Sequence, residues 1–298
     1  MKIFGFLIAR NEADIIGQVL QRLLELGCYE RIYFFDNDST DDTLAAASAL
    51  ANAVLQVSKC SRPYSDSLKY QLIDEHRAEF TEGDWIHVLD ADEILIDDPR
   101  QLAMLAEKEG ANTVEHGCLQ FYFVGDPSEL SYDSRKPACT QVKHYLLNYG
   151  EPRFFRFSNR YQLSEPFVKQ RDPRLLISSH LLHIQHFQFR SAEQVQRRIE
   201  VRLANNRHSG NWGHVKAARW QDYCVPARYL HKFDGQIRRG LPAGVDLFTA
   251  PNNAAYTAAS LNWMRRHGHL AAEHERYFTA GALERRLRSL HPRRWLSW

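Results

Sequence analysis

Trp85-Ile86-His87-Val88-Leu89-Asp90-Ala91-Asp92-Glu93 sets a short, mostly apolar run directly against three carboxylates, and the fold is read from this stretch. An apolar run that ends so abruptly in acid is a buried strand whose carboxyl end opens onto solvent or a ligand, because Asp90 and Asp92 cannot both point into an apolar core. Two carboxylates two residues apart make a hard-oxygen site suited to Mg2+ or Mn2+. The plain alternative is an acidic turn that only ends a strand.

Upstream, the same rhythm repeats. Residues 2–9 are an apolar run closed by Arg10-Asn11-Glu12, and residues 14–26 carry a helical stripe closed by Gly27. Residues 31–36 form a second apolar run that ends in Asp36-Asn37-Asp38-Ser39-Thr40-Asp41-Asp42-Thr43. A helical 43–53, a brief strand at 54–57 and a helix over 68–80, capped by Ser65 or Asp66, complete the alternation. Strand and helix in this order predict a mostly parallel central sheet flanked by helices. Ligands bind such sheets beyond the carboxyl ends of the strands, where all three polar clusters fall. Ser39 through Asp42 read as helix-capping residues. Asp36 and Asn37, nearer the strand end, are placed to exchange hydrogen bonds with a base edge such as uracil. No Gly-x-Gly-x-x-Gly follows the first strand, and no Gly-rich loop with Lys-Ser/Thr occurs. A bound diphosphate would therefore be neutralised by a metal and by cationic side chains.

Downstream, residues 112–115 and 119–124 read as strands, 125–149 as a long polar segment suited to an acceptor lid, and 153–157 as a further strand. His180, His183 and His186 recur every third residue ahead of Arg190, so that a histidine can complete a metal shell and the arginine can hold phosphate bidentately. Ser191-Ala192-Glu193-Gln194 has the form of a capping box and starts a helix running to about residue 206.

The 298 residues are 44% hydrophobic and 25% charged, the usage of an ordinary globular protein. The net charge of +2 hides an asymmetry: residues 1–150 carry 13 basic against 25 acidic side chains, and residues 151–298 carry 25 against 11. The apolar run at 3–9 is too short to span a bilayer and lacks a cleavage site, and the five scattered cysteines suit free thiols in a reducing cytoplasm. Arg285, Arg286, Arg288, Arg293 and Arg294, interleaved with leucines, Trp295 and Trp298, give a cationic amphipathic ending. It fits either the inner face of an anionic cytoplasmic membrane or a solvated helix packed by its leucines. Nucleic acid is not an expected partner, since no reader motif appears and the acidic half would repel phosphate.

Taken in order, Arg10-Asn11-Glu12, the run 36–43, Asp84-Trp85 with Asp90-Ala91-Asp92-Glu93, and His186-Phe187-Gln188-Phe189-Arg190-Ser191 resemble the motifs of family 2-like glycosyltransferases with the GT-A fold. The similarity is to the bacterial branch that pairs an Asp-Ala-Asp-Glu turn with a later His-aromatic segment, and it covers approximately residues 1–205. It implies a GT-A-type catalytic domain over 1–205, with a donor-binding part to about 110 and an acceptor part from 111, followed by a basic helical extension at 206–298. It also implies transfer of a sugar from a nucleotide-diphosphate donor, a UDP-sugar being favoured, to a hydroxyl of a glycan or glycolipid acceptor. The transfer would be inverting and would serve bacterial surface-polysaccharide or lipopolysaccharide synthesis. By this resemblance Arg10, Asn11, Glu12, Asp36, Asn37, Lys69, Asp90, Ala91 and Arg190 contact the donor, and Asp90, Asp92 and His186 hold Mn2+ or Mg2+. Position 38 is Asp where the family pattern has a small residue, which leaves open which of Asp36, Asn37 and Asp38 touches the base. Inversion needs a carboxylate near the acceptor hydroxyl. Asp126, after a strand end and Gly125, is the expected base, with Glu115, Glu129 and Asp133 as alternatives. Two other classes compete: a nucleotidyl- or phosphotransferase using the same Asp-x-Asp metal, and a non-catalytic glycan- or lipid-binding adaptor.

Overall fold

Seven consecutive residues of β1 (Ile3–Ala9) are buried, and β2 (Arg31–Asp36) is buried from its second residue onward. Burial on both faces is what a central parallel strand requires. In the computed structural model β1 pairs in parallel with β2 on one side and with β4 (Trp85–Asp90) on the other, and β2 pairs in parallel with β3 (Leu55–Lys59). The registers place Ala9 beside Asp36 and Ile8 beside Asp90, so the predicted polar clusters do gather at one edge. The structure describes residues 1–124, 131–161, 163, 174–209, 218–238, 240–242, 245 and 258–270.

The crossover helices form where the apolar stripes predict them. In α1 (Ile16–Glu25) Ile16, Val19, Leu20 and Leu23 turn inward, and the chain leaves through Gly27 at φ 59°, a left-handed conformation that glycine adopts without strain. The other crossovers are α2 (Thr43–Ser48), shorter than the alanine-rich run suggests, and α3 (Asp66–Glu75). Before α4 (Pro99–Lys108) the Asp98 side chain accepts from the Arg100 N–H, with Pro99 in the first turn where its missing N–H costs nothing. Phe4, Phe6, Tyr33, Phe35, Leu68, Ile73, Phe80 and Phe157 share a single core cluster.

After β5 (Glu93–Leu95) the pairing turns antiparallel. β6 (Thr113–Tyr122) is one ten-residue strand, buried throughout, where sequence patterning gave two; His116, Gly117 and Cys118, left between those two, lie inside the strand. β8 (Phe154–Arg156) lies between β4 and β6, antiparallel to both. β9 (Ile177–His186), which carries the three histidines, pairs with β5 and β6. The expected polar segment 125–149 contains a short α5 (Ala138–Gln141) and β7 (His144–Tyr149), the latter paired with β10 (His231–Lys232).

Two compact units emerge, and they are not sequential blocks: Met1–Cys118 with Gly150–His186, and Leu119–Tyr149 with Phe187–Trp298. The first holds the parallel sheet and the acidic turn. The second includes β7, β10, α6 (Ala192–Ser209) and α7 (Ala258–Arg266), with a core built on Phe123, Leu146, Phe189, Val195, Ile199, Val225 and Leu230. Ser191 caps α6 by accepting from the Gln194 N–H at 3.0 Å. Among the described residues no helix is long and apolar enough to cross a membrane. The Arg/Trp ending at 285–298 lies outside the described residues.

Candidate active site

The first two loops at the sheet edge are laced together. Asn11, at φ 58°, accepts from the Thr40 N–H at 2.8 Å through its side-chain oxygen, while its own N–H donates to Ser39 Oγ at 3.0 Å. The Glu12 N–H donates to Thr43 Oγ1 and the Ala13 N–H to Asp41 Oδ2. These bonds satisfy otherwise orphaned amides at the entry to α1 with side chains from the loop after β2. Asn11 and Glu12 thereby shape the edge, and Arg10 stands exposed beside them.

Asp36 and Asn37 part company. Both are buried, but Asn37 turns its amide NH2 onto the carbonyls of Cys60 and Arg62, 2.9 Å for the latter, so its side chain ties the loop after β3 to the end of β2. Asp36 accepts from the Ser39 N–H with Oδ2, while Oδ1 has no hydrogen-bond partner among the described residues. A buried carboxylate oxygen without a donor is costly unless a ligand supplies one. Asp38, at φ 57°, accepts from Ser61 Oγ at 2.6 Å and belongs to the same loop-to-loop lacing.

The acidic turn divides its three carboxylates between different partners. Asp90 is ion-paired with Lys69 of α3 through one oxygen and with Arg153, from the loop before β8, through the other. Arg153 also reaches Glu93 Oε1 at 2.6 Å, and both side chains are buried. Burial raises the Asp90 carboxyl, but the charges of Arg153 and Lys69 outweigh it and hold the group well below the usual carboxylate range. For Glu93 burial wins over Arg153 and the carboxyl is pushed up. The resemblance gives Lys69 to the donor and Asp90 to donor and metal; in this structure the two side chains are paired with each other. Ala91 is buried between Asp90 and Asp92.

Asp92 is the carboxylate that meets a histidine. His186 Nε2 lies 3.4 Å from Asp92 Oδ1, and its Nδ1 lies 3.8 Å from the Cys118 thiol. Burial alone would lower the His186 pKa; the Asp92 charge and its hydrogen bond raise it well above the ordinary value. A carboxylate beside an imidazole is a donor set of the type that takes Mn2+ or Mg2+, with the divalent ion displacing the imidazolium proton. No group of three such donors gathers among the described residues. Asp92 and His186 form a pair of the kind that offers two donors to such an ion. His183 is held by Asp97, its Nδ1 at 2.7 Å and its backbone N–H at 2.8 Å from Oδ2, and His180 lies 3.3 Å from Glu109.

Arg190 falls in the second unit. It is fully buried and donates to the Phe187 carbonyl at 2.8 Å, a bond that fastens the turn before α6. Asp126 and Glu129 lie outside the described residues. Asp133 is wrapped by Arg135 in a local turn, and Glu115 is buried within β6. The residues that sequence patterning missed are Arg153 and Glu93, with Cys118, His87 and His116 behind them. Glu93 stands in the quoted turn, but nothing in the sequence points to Arg153, which lies 60 positions further along the chain.

Residues 6–168, more than half of the chain, match the family described as Glycosyl transferase family 2. Comparison with curated proteins finds no match. Among solved structures, the chain is similar to TarS of S. aureus, with 13% identity over 72% of this chain and 41% of that one and a TM-score of 0.40. It is similar to the mannosyltransferase PcManGT of Pyrobaculum calidifontis, in complex with GDP-Man and Mn2+, with 18% identity over 42% of this chain and 36% of that one and a TM-score of 0.31. It is also similar to glucosyl-3-phosphoglycerate synthase of Mycobacterium tuberculosis, in complex with Mn2+, UDP and glucosyl-3-phosphoglycerate, with 25% identity over 43% of this chain and 47% of that one and a TM-score of 0.28. In each of these three the chain spans less than half of the other protein. With the family matched from within β1 through the parallel strands and the acidic turn that follows β4, the chain belongs to glycosyl transferase family 2.

Proposed function

We propose that the protein transfers a sugar from a UDP-sugar to a hydroxyl of a glycan or glycolipid acceptor, in the presence of Mn2+ or Mg2+, and that the donor binds at the carboxyl ends of β1, β2 and β4. The observation that carries this reading is Asp36: a buried carboxylate at the end of β2 whose Oδ1 lacks a donor. The N3–H of uracil supplies one, whereas a cytosine edge presents an acceptor at that position and leaves the carboxylate unsatisfied.

Asp92 and His186 would hold the divalent ion. When bound, it supplies positive charge against the diphosphate and so favours departure of the nucleotide. The residues of the chain do the rest. Lys69 and Arg153 hold Asp90 ionised at the sheet edge. Direct displacement by the acceptor hydroxyl inverts the sugar and requires a carboxylate to take the hydroxyl proton; Asp126 remains the proposed base on sequence grounds. The basic second half of the sequence fits an anionic acceptor, of the kind found in lipopolysaccharide or at an anionic membrane face.

A thermal-shift series with UDP, GDP, CDP and their sugars, each with and without Mn2+, tests the reading. Binding to the folded state raises the melting temperature by mass action. UDP with Mn2+ is expected to stabilise the wild-type protein, and Asp36→Asn is expected to lose the effect while melting normally without ligand. Stabilisation by GDP and not UDP, or an Asp36→Asn response equal to wild type, overturns the uracil assignment. Equal stabilisation in excess chelator overturns the metal.

A further inference from the structure

Beneath the acidic turn a line of buried polar groups runs across the sheet. Tyr29 Oη lies 2.7 Å from His87 Nδ1, and His87 Nε2 lies 3.0 Å from His116 Nε2. His116 Nδ1 then faces Glu93 Oε2 at 3.9 Å, and Glu93 is the carboxylate that Arg153 grips. Both imidazoles are fully buried.

Only one direction of this line is chemically sound. Tyr29 donates to His87 Nδ1, so His87 carries its proton on Nε2 and donates to His116 Nε2, which leaves the His116 proton on Nδ1, facing a carboxylate. The reverse polarity would aim a lone pair of His116 at the Glu93 carboxylate and leave the buried Tyr29 hydroxyl hydrogen without an acceptor. Both histidines are held neutral. Burial and the nearby Arg153 charge push His87 down to about 3, and the same causes together with His87 hold His116 well below its ordinary value.

The backbone joins the same device. The His116 N–H donates to the Glu151 carbonyl at 3.2 Å, the Arg153 N–H donates to the same carbonyl at 2.8 Å, and the Val88 N–H donates to the Arg153 carbonyl at 2.8 Å. Gly150 lies so close that a Cβ there would fall 2.0 Å from the His116 carbonyl oxygen. The loop that carries Arg153 therefore rests on His116 directly.

We propose that His116, oriented by His87 and Tyr29, is the positioning residue for Arg153, and that this buried line fixes where the guanidinium meets Asp90 and Glu93 and so sets the acidic turn for donor binding. The last step rests on the reading of that turn as part of the donor site. The tautomers and the guanidinium can be observed whether or not that reading holds.

The test uses the full chain, labelled at histidine and arginine for NMR, in wild type and in Tyr29→Phe, His116→Leu and His116→Gln. Glutamine places an amide oxygen where His116 Nε2 accepted the His87 proton; leucine does not. The expected wild-type spectrum shows His87 protonated at Nε2, His116 at Nδ1, and slowly exchanging Arg153 guanidinium protons. In Tyr29→Phe and His116→Leu those protons are expected to exchange about tenfold faster or more, with His116→Gln recovering much of the protection. Affinity for UDP with Mn2+ is expected to fall by about 10- to 100-fold in the same two variants, the scale of a lost hydrogen bond to a charged group. Opposite tautomers, a doubly protonated imidazole near neutral pH, or Arg153 protection unchanged in Tyr29→Phe overturns the proposal. Should His116→Leu fail to fold, Tyr29→Phe, which removes one hydroxyl, decides it. A loosened Arg153 with unchanged UDP affinity supports the positioning role and overturns the reading of the turn as a donor site.

Discussion

Replacing Arg153 by methionine removes one guanidinium that serves two carboxylates, and the structure sets the size of the effect. Glu93, 3% exposed, loses the guanidinium that grips it and keeps only the more distant charge of His186; His116 Nδ1, 3.9 Å away, is held neutral. Asp90 is more exposed and keeps Lys69, so it contributes little. Breaking a buried pair from one side costs about 3–5 kcal/mol, because the remaining charge stays buried without compensation. Arg153→Lys keeps a charge but cannot fork between Asp90 and Glu93, and about half of that loss is expected. Removing both partners is milder than removing one: Arg153→Met combined with Glu93→Gln should recover stability relative to Arg153→Met alone, a non-additivity that a double-mutant cycle measures. Guanidinium-chloride unfolding at neutral pH, followed by circular dichroism, reads the wild type, Arg153→Met, Arg153→Lys, Glu93→Gln and the double variant. An Arg153→Met loss below about 1 kcal/mol, the scale of an exposed pair, would refute the reasoning. So would a double variant whose loss equals the sum of the two single losses.

Gly150→Ala is expected to displace the Arg153 loop: its Cβ would sit 2.0 Å from the His116 carbonyl oxygen where side-chain contacts stop at about 3.0 Å, and both sides of the clash are backbone. A loss of about 1–3 kcal/mol is expected in denaturant unfolding. Gly117→Ala meets the ring of His183 at 2.7 Å instead, a side chain that can give way, and should cost less. Equal losses at the two glycines would count against the distinction. On the acid side, burial raises the Asp97 carboxyl, but the hydrogen bonds and charge of His183 outweigh it and bring the group below its ordinary 3.8. A lowered carboxylate contributes stability above its unfolded value that is lost as pH falls through the folded one, so the contribution fades below about pH 4. Asp97→Asn should therefore be less stable than wild type at neutral pH, with the gap narrowing as pH falls from about 5 to about 3; a gap constant with pH would remove Asp97 from the acid transition.

The parallel half of the sheet was legible because its signals are local. β1, β2 and β4 are continuous apolar runs ended by polar clusters, and their parallel pairing brings those clusters to one edge without further information. The antiparallel half was not legible in the same way. β6 carries His116 and Gly117 in its middle, which read as an interruption, yet each is explained by a neighbour distant in sequence: His116 by His87, and Gly117 by the ring of His183. Polar residues inside a buried strand are satisfied by partners that only the folded chain supplies, so a pattern-based reading breaks the strand where the fold does not.

The same limit explains the site. Asp36, Asp92 and His186 stand out in sequence through strand-end position and residue type, and the structure leaves the first with an unsatisfied oxygen and brings the other two together. What residue type could not say is how three carboxylates in four positions share their counter-charges. Spacing alone makes Asp90 and Asp92 equivalent. The fold separates them by giving Asp90 two cations, Lys69 from α3 and Arg153 from the loop before β8, while Asp92 faces the His186 imidazole. Arg153 carries no motif and lies far along the chain, yet its charge is what allows Glu93 to be buried beside Asp90 at all. The acidic turn thus depends on a residue that its own sequence does not contain, and substitutions at Arg153 and Gly150 should disturb it although neither stands within the turn.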